Sequence, residues 1–177
     1  MRRIVVVGTT GSGKTILARH LSRRLSIPHV ELDALYWGPA WSETPTPLFR
    51  ERVAQALETE AWVVDGNYSK VRDLVWGRAD SVVWLDYALP VVMWRLVART
   101  LGRVATGQEL WAGNRERLTT ALLSHDSILL WALKTYRRHR WDYPSLLGQR
   151  EFAHLSLVRL RSPRATRTWL SRLDVEW

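Results

Sequence analysis

The residues most suited to chemistry lie near the start of the chain, where residues 8–15 read GTTGSGKT. This stretch matches the pattern G-x-x-x-x-G-K-[ST] in full and follows an apolar, β-branched run. Glycines allow a tight turn whose backbone N–H groups point at one anion, and the start of a following helix adds more unpaired N–H groups. The pattern therefore predicts a loop that holds the phosphate chain of a nucleotide, rather than an ordinary strand-to-helix turn.

Each position of this loop has an expected role, with ATP and Mg²⁺ as the ligands. Lys14 is expected to reach the β- and γ-phosphates, and the Thr15 hydroxyl to take one Mg²⁺ ligand position. Further nucleotide contacts are expected from the rest of the loop and the first helical turn, namely Gly8, Thr10, Gly11, Ser12, Gly13 and Ile16. The loop does not reveal what receives the phosphate, because switches, motors, transporters and kinases all use such a loop.

Two aspartates at strand ends are candidates for the metal. Asp65 ends the run AWVVD, which is expected to lie beside the strand before the loop, and a second Mg²⁺ contact through water is expected there. The alternative is a turn aspartate before Gly66. Asp86 ends the next apolar run, where it either holds the metal or caps the following helix, and the capping role is favoured.

The composition limits the class of protein. The chain has 177 residues, 46% of them hydrophobic, a length and content typical of one folded domain over residues 1–177. It has no cysteine, which excludes disulfides and thiolate metal sites. No apolar run approaches the roughly 20 residues that a membrane helix needs, so a soluble, cytoplasmic protein is the expectation. The net charge of +9 suits either a nucleic-acid surface or an arginine-lined nucleotide pocket.

Apolar runs alternate with helical patterns along the chain. Strands are predicted at 3–7, 29–31, within AWVVDGNY, at 80–86 and at 152–160. Helices are predicted at about 14–25, 46–59, 90–105, 116–140 and 163–173, with an irregular segment at 33–46. Such an alternation indicates an α/β fold with a five-stranded parallel sheet covered on both faces. Segments 33–60 and 100–118 are interpreted as insertions within this one domain.

A family resemblance rests on two stretches, VVVGTTGSGKTILARHLSRRLSIPHVELDALYWGPAW and WVVDGNY. They resemble the P-loop nucleotide and metabolite kinases, in particular the adenylate-kinase-related subgroup often labelled adenylate kinase or DNA topology modulation protein. The resemblance implies the three-layer α/β/α P-loop NTPase fold and ATP-dependent phosphoryl transfer. Adenylate kinases proper carry D-G-F-P-R after the third strand. Here Asn67 and Tyr68 follow Asp65-Gly66, so AMP is not carried over as the acceptor.

The resemblance also assigns roles to the two insertions. Segment 33–60 would receive the acceptor, and Asp33 would bind its hydroxyl and orient or deprotonate it, the alternative being an exposed loop aspartate. Segment 100–118 would be a lid that closes arginines over the transferred phosphate. Arg95, Arg99 and Arg103 share one helix face at a spacing of four, and Arg115 and Arg117 follow a glycine-containing loop. Arg99, Arg103 and Arg115 are the predicted catalytic arginines, and a solvated basic face is the alternative.

Three further patterns remain open. In similar kinases the loop after the last strand packs on the adenine, which makes Arg161 and Arg164 candidates for stacking on the base. Ser162 before Pro163 is equally a helix cap. The run KTYRRHRW at 134–141 suits a nucleic-acid surface or a solvated helix end. The five histidines show no metal-ligand spacing.

The leading hypothesis is an ATP- and Mg²⁺-dependent kinase that acts on a nucleoside monophosphate or a hydroxylated metabolite. The alternatives are a nucleic-acid-associated ATPase and a nucleotide-binding regulatory protein. Neither the acceptor nor the oligomeric state follows from the sequence.

Overall fold

The centre of the fold is one parallel sheet. The computed structural model describes residues 1–115 and 128–173. The strands are β1 (Arg3–Gly8), β2 (His29–Glu31), β3 (Trp62–Asp65), β4 (Ser81–Leu85) and β5 (Ser156–Leu160). Their spatial order is β2-β3-β1-β4-β5, and every neighbouring pair is parallel. The predicted five-stranded parallel sheet is confirmed.

Helices connect the strands. They are α1 (Lys14–Leu25), α2 (Leu32–Tyr36), α3 (Thr46–Ala56), α4 (Arg72–Arg78), α5 (Leu89–Thr106), α6 (Ile128–Leu147) and α7 (Pro163–Arg172). Short 3₁₀ turns occupy Pro39–Trp41, Ser69–Val71, Trp111–Gly113 and Arg150–Phe152. Within the described ranges, none of these helices combines the length and apolar character needed to cross a bilayer.

The core lies on both faces of the sheet, because side chains alternate along each strand. On one face Val5 and Val7 of β1 pack in a cluster that includes residues of α2, α3 and α4. On the other face Ile4 and Val6 pack in a cluster that includes residues of α1 and α5. The sheet is therefore the middle of three layers, as the α/β/α prediction requires.

The strand register sets the position of the functional residues. Val6 of β1 is paired with Asp65 of β3, and Gly8 is paired with Leu85 of β4. Glu31 of β2 is in turn paired with Asp65. Since the carboxyl ends of parallel strands meet at one edge of a sheet, the loop after β1 lies between the ends of β3 and β4.

The structure corrects several predicted boundaries. Segment 33–46 is not irregular throughout, because Leu32–Tyr36 forms helix α2, and the short helix α4 was not predicted. Helix α3 ends at Ala56, three residues before the predicted end. The predicted helix 116–140 is described only from Ile128, where α6 begins and runs to Leu147. Residues 116–127 lie outside the described residues. They include Arg117 and the last three residues of the proposed lid, 116–118.

Candidate functional site

The loop between β1 and α1 has the backbone of an anion cradle. Gly8, Gly11 and Gly13 have φ angles of 150°, 82° and 96°, a region that favours glycine. A Cβ at Gly8 would lie 2.7 Å from the Leu85 carbonyl oxygen, so the glycine also permits a close approach to β4. The Oγ of the fully buried Ser12 has no hydrogen-bond partner among the described residues. These features fit a loop that binds a phosphate chain through its backbone N–H groups and the Ser12 hydroxyl.

Lys14 begins α1 and lies within the loop. Its Nζ donates a hydrogen bond to the Thr9 carbonyl oxygen at 3.3 Å. Burial lowers the pKa of Lys14, while the nearby carboxylates of Asp33 and Asp65 act to raise it. The positive Arg99 side chain acts in the lowering direction. Asp33, Asp65 and Arg99 of helix α5 are thus all close enough to Lys14 to influence its pKa.

The predicted metal residues are in contact. The Thr15 Oγ1 donates a hydrogen bond to Asp65 Oδ2 at 2.6 Å, and Asp65 is 3% exposed. Glu31 Oε1 lies 3.4 Å from the same hydroxyl. Hard oxygen ligands of this kind fit Mg²⁺. In residues 1–115 and 128–173 no cluster of three or more His, Asp or Glu side chains suits a metal.

Two neighbours of this pair were missed by sequence reasoning. His29 Nε2 lies 2.7 Å from Asp65 Oδ1 and so holds the carboxylate from the side opposite Thr15. Glu31 also pairs with the half-exposed Arg19 at 3.4 Å. The register of β2 against β3 would have indicated Glu31, since a residue paired with Asp65 in a parallel sheet lies beside it. His29 carried no such signal, because its spacing to other histidines is irrelevant to this contact.

Asp33 lies in α2, near Lys14 of the loop. Tyr68 donates a hydrogen bond from its hydroxyl to Asp33 Oδ1 at 2.5 Å. Burial raises the pKa of Asp33, while the Tyr68 hydrogen bond and the charges of Lys14 and Arg99 lower it. The exposed-loop alternative for this residue does not fit, because the carboxylate is hydrogen-bonded and enclosed beside the phosphate loop.

Asn67 joins the segment after β3 to the phosphate loop. Its Nδ2 donates to the Gly8 carbonyl oxygen at 2.5 Å, and its Oδ1 accepts from the Gly8 N–H at 3.3 Å. This residue replaces the phenylalanine of the D-G-F-P-R pattern, and a side-chain amide can pair with both backbone groups of one residue. Asn67 therefore fixes the first glycine of the loop. Sequence reasoning noted the departure and did not predict this contact.

The arginines of α5 are distributed along the site. Arg95 Nη1 donates to the Ser12 carbonyl oxygen at 3.1 Å, and its guanidinium lies over the Tyr87 ring. Arg99, one turn further, is close enough to influence the pKa values of both Lys14 and Asp33. Arg103 lies one more turn away in the same helix. Arg95 was not among the predicted catalytic arginines, although it contacts the loop directly.

Arg115 lies at the surface. Its Nη2 pairs with Glu109 Oε1 at 2.6 Å, and both side chains are about 60% exposed. The structure therefore places Arg115 in an exposed ion pair rather than against the phosphate loop, and its role in transfer stays a prediction. Ile16 is 76% exposed at the start of α1, so its nucleotide contact stays a prediction as well.

Asp86 does not have its favoured role as a helix cap. Helix α5 has no side-chain cap at its N-terminus. Instead the buried carboxylate accepts a bond from Arg140 Nε at 2.6 Å through Oδ1 and bonds from Arg159 through Oδ2. Both oxygens are committed to guanidinium groups, which also argues against the metal role. Through these bonds Asp86 connects the end of β4 to Arg140 of α6 and Arg159 of β5.

The two base-stacking candidates flank the start of α7. Arg161 and Arg164 are exposed, and Arg164 lines a surface groove of about 570 Å³ between β5 and α7, together with Trp169. Ser162 caps α7, since its Oγ accepts a hydrogen bond from the Ala165 N–H at 3.1 Å. The capping interpretation is confirmed, and contact of either arginine with a base stays a prediction.

The aromatic residues of the insertion pack mostly on each other. Tyr36 is 5% exposed and lies against Phe49 and Tyr68, with ring centroids 5.0 and 4.6 Å away. Trp37 contacts Trp41 at 5.7 Å. The Tyr36 ring is therefore part of the packing that holds the insertion on the core. Trp41 is more than one third exposed at the rim of the insertion.

Comparison with known proteins identifies the fold. A scan of protein-family models and a search of curated proteins found no match. Solved structures that resemble the chain include a shikimate kinase from Bacteroides thetaiotaomicron, with a TM-score of 0.56 and 15% identity over 98% of this chain and 97% of that one. A gluconokinase from Sinorhizobium meliloti 1021 has a TM-score of 0.52 and 20% identity over 97% and 93%. The chain thus has the fold of the P-loop kinases. The finer resemblance to the adenylate-kinase-related subgroup is not supported by these neighbours.

Proposed function

We propose that this protein is an ATP-dependent kinase that transfers the γ-phosphoryl group to a hydroxyl of a small acceptor in the presence of Mg²⁺. The observation that carries the proposal is the grouping of Lys14, Asp33, Asp65 and Arg99, each of which influences the pKa of a neighbour in the set. An acceptor-side carboxylate beside a phosphate-loop lysine is the arrangement that transfer to a hydroxyl needs. A protein that only hydrolyses or senses a nucleotide has no need of it.

The side chains divide the work between charge and positioning. Lys14 and Arg99 supply fixed positive charge where the transferred phosphoryl group carries negative charge. Asp33, oriented by Tyr68, holds the acceptor hydroxyl in line for attack and accepts its proton. Thr15 and Asp65, with Glu31 close by, are the residues that would hold Mg²⁺. The metal would neutralise phosphate charge.

The sequence and the structural neighbours also bear on which class of acceptor receives the phosphoryl group. The resemblance to the adenylate-kinase-related subgroup favours a nucleoside monophosphate. The names of the two structural neighbours, a shikimate kinase and a gluconokinase, do not refer to nucleotide acceptors. The D-G-N-Y sequence at residues 65–68 departs from the adenylate kinase pattern, and Tyr68 is used to hold Asp33. These points favour a hydroxylated metabolite over AMP.

An acceptor screen tests the proposal. Wild-type protein is incubated with γ-labelled ATP, Mg²⁺ and pools of nucleoside monophosphates or hydroxylated metabolites, and mass spectrometry follows the label. Wild type is expected to move the label to one acceptor class, and Lys14→Ala and Asp33→Asn are expected to move very little. Label that appears only as inorganic phosphate with every pool would contradict the kinase assignment. An exposed-lysine variant, Lys134→Ala, is the matched control and is expected to behave as wild type.

A further inference from the structure

Two surface turns of the chain have the same backbone design. The first turn, residues 37–43, lies in the acceptor insertion, and the second turn, residues 109–115, lies in the lid segment. Each is closed by an antiparallel bridge between its end residues, Trp37 with Glu43 and Glu109 with Arg115. Inside each bridge a backbone N–H donates to the residue four positions on, from Gly38 to Ser42 and from Leu110 to Asn114.

The tips of the two turns also correspond. Ala40 and Trp41 have φ angles of 53° and 58°, and Ala112 and Gly113 have φ angles of 55° and 75°. The Ser42 N–H donates to the Pro39 carbonyl oxygen at 3.1 Å, and the Asn114 N–H donates to the Trp111 carbonyl oxygen at 3.2 Å. A four-residue turn closed by such a bond, with both central residues at positive φ, is a type I′ turn. Non-glycine residues adopt such angles only at a conformational cost and where the surroundings enforce them. Three of the four non-glycine residues with positive φ in the described chain belong to these two tips.

One side chain joins the two turns. Asn114 Oδ1 accepts a hydrogen bond from the Trp41 N–H at 3.0 Å. Its Nδ2 donates to the Gly38 carbonyl oxygen and to the Trp111 carbonyl oxygen, both at 2.8 Å. Asn114 is only 5% exposed, although it lies in a surface segment. An amide in this position satisfies three backbone groups at once, two on the first turn and one on its own.

The rings of the two turns meet as well. Trp41 contacts Trp111 edge to face, with centroids 6.4 Å apart, and Trp41 in turn contacts Trp37. The first turn follows α2 directly, and α2 carries Asp33. Two residues separate the end of α5 from the second turn, and α5 carries Arg99 and Arg103. The contact therefore links the element that holds the acceptor-side carboxylate to the element that holds the arginines.

We propose that Asn114 is a positioning residue that clasps the lid segment to the acceptor insertion, so that lid closure and acceptor binding occur together. The inference rests on the proposed function for its second half only. The clasp is a contact between two turns and exists whatever the acceptor is. Its role during transfer follows because water is excluded from the site only when both segments lie over the acceptor.

Hydrogen exchange tests the clasp without any acceptor. In Asn114→Ala, exchange of amides in both turns is expected to rise by about tenfold or more, with Trp41 the most affected because it loses its partner. Asn114→Asp keeps an acceptor for the Trp41 N–H but places a buried carboxylate against the Gly38 and Trp111 carbonyl oxygens, so exchange is expected to rise at least as much as in Asn114→Ala. Gln108→Ala, an exposed amide in the same segment, is the matched control. Unchanged exchange at residues 38–42 in a folded Asn114→Ala protein would overturn the clasp.

Kinetics with the acceptor found by the screen test the coupling. Asn114→Ala is expected to lower kcat by about tenfold and to raise the KM of the acceptor, because the two segments no longer close as a unit. Affinity for a non-hydrolysable ATP analogue is expected to change less than about twofold, since Asn114 touches neither the phosphate loop nor the metal residues. Loss of a residue with only a structural role would lower the stability of the protein without changing kcat and the acceptor KM more than the affinity for the ATP analogue. Full kcat alongside faster exchange would overturn the coupling and leave the clasp. If the screen finds no acceptor, the proposed function fails and the exchange result still decides the clasp.

Discussion

Lys14 is the residue whose position most directly connects the loop to the proposed chemistry. It lies at the start of α1, and its charge is opposed by burial and supported by Asp33 and Asp65. Lys14→Ala removes one charge contact to the transferred group and little core packing, so turnover is expected to fall by roughly 10²-fold or more with the fold retained. Turnover assays beside circular dichroism check this, with Lys134→Ala as the control. Near-normal turnover would refute the assignment of the loop.

We expect Asp33 to make the rate of transfer depend on pH. Burial raises its pKa, and the hydrogen bond from Tyr68 lowers it by stabilising the carboxylate. In Tyr68→Phe this stabilisation is lost, so the pKa of Asp33 rises further. The acid limb of the pH–rate profile, where Asp33 becomes protonated and can no longer accept a proton, is expected to move to higher pH by about one unit.

The profile of kcat/KM against pH for both proteins measures this shift. Tyr36→Phe is the matched control, because the Tyr36 hydroxyl bonds Glu43 and Lys70 instead of Asp33. Its acid limb should coincide with that of wild type. A limb that stays in place in Tyr68→Phe would mean that another group controls the ionisation.

Local patterns predicted the residues whose roles depend on neighbours in sequence. The glycines, Lys14 and Thr15 belong to one stretch of sequence, and the contact of Thr15 with Asp65 agrees with the expectation that the Asp65 strand lies beside the strand before the loop. Asn67 and His29 could not be found in this way. Their partners, Gly8 and Asp65, lie 59 and 36 residues away, and amide or imidazole side chains carry no periodic signal.

At the scale of elements, the strands were the most predictable part of the fold. The three central strands, β1, β3 and β4, are largely apolar runs, which are typical of strands buried on both faces. The edge strands β2 and β5 read HVE and SLVRL and are less buried, so their signal was weaker. The missed helices α2 and α4 have five and seven residues, too short to show a helical period. Aspartate before a helix suggested a cap at Asp86, and the cap was overridden by two arginines from α6 and β5 that only the tertiary fold brings there.

Substitution of the two aspartates at strand ends, Asp86 and Asp65, is expected to affect different properties of the protein. Asp86→Asn leaves two guanidinium groups without their carboxylate, and since those side chains are partly exposed the free energy of unfolding should fall by about 1–3 kcal/mol. Asp65→Asn should instead raise the Mg²⁺ concentration needed for half-maximal rate by about tenfold or more.

Thermal unfolding and Mg²⁺ titrations on both variants separate these effects. Asp142→Asn is the control for Asp86→Asn, because it removes only an exposed pair with Arg138, and such pairs contribute little. A larger shift in Mg²⁺ requirement for Asp86→Asn than for Asp65→Asn would reverse the two assignments.

At the scale of the whole molecule, the net charge of +9 does not gather into a free basic surface at 134–141. Arg140 bonds Asp86 and lies over the Tyr136 ring, and Arg138 pairs with Asp142. The segment that most suggested nucleic acid thus uses two of its three arginines within the protein. Other arginines, such as Arg95, face the nucleotide loop.

The charge therefore predicts how the protein responds to DNA. Duplex DNA is expected to bind weakly, without sequence preference and with a steep loss on adding salt, as for any basic surface. ATP turnover should not rise when DNA is added.

Arg103→Ala should lower phosphoryl transfer and change ATP affinity less, whereas Arg137→Ala, a substitution of an exposed arginine within 134–141, should leave transfer unchanged. If the charge serves nucleic acid instead, each lost contact should reduce the salt slope of DNA binding by about one unit. ATP turnover that DNA stimulates equally in wild type and in Arg103→Ala would contradict the kinase assignment and favour a nucleic-acid-associated ATPase. In that case DNA activates the protein without the lid arginine, and the lid has no role in transfer.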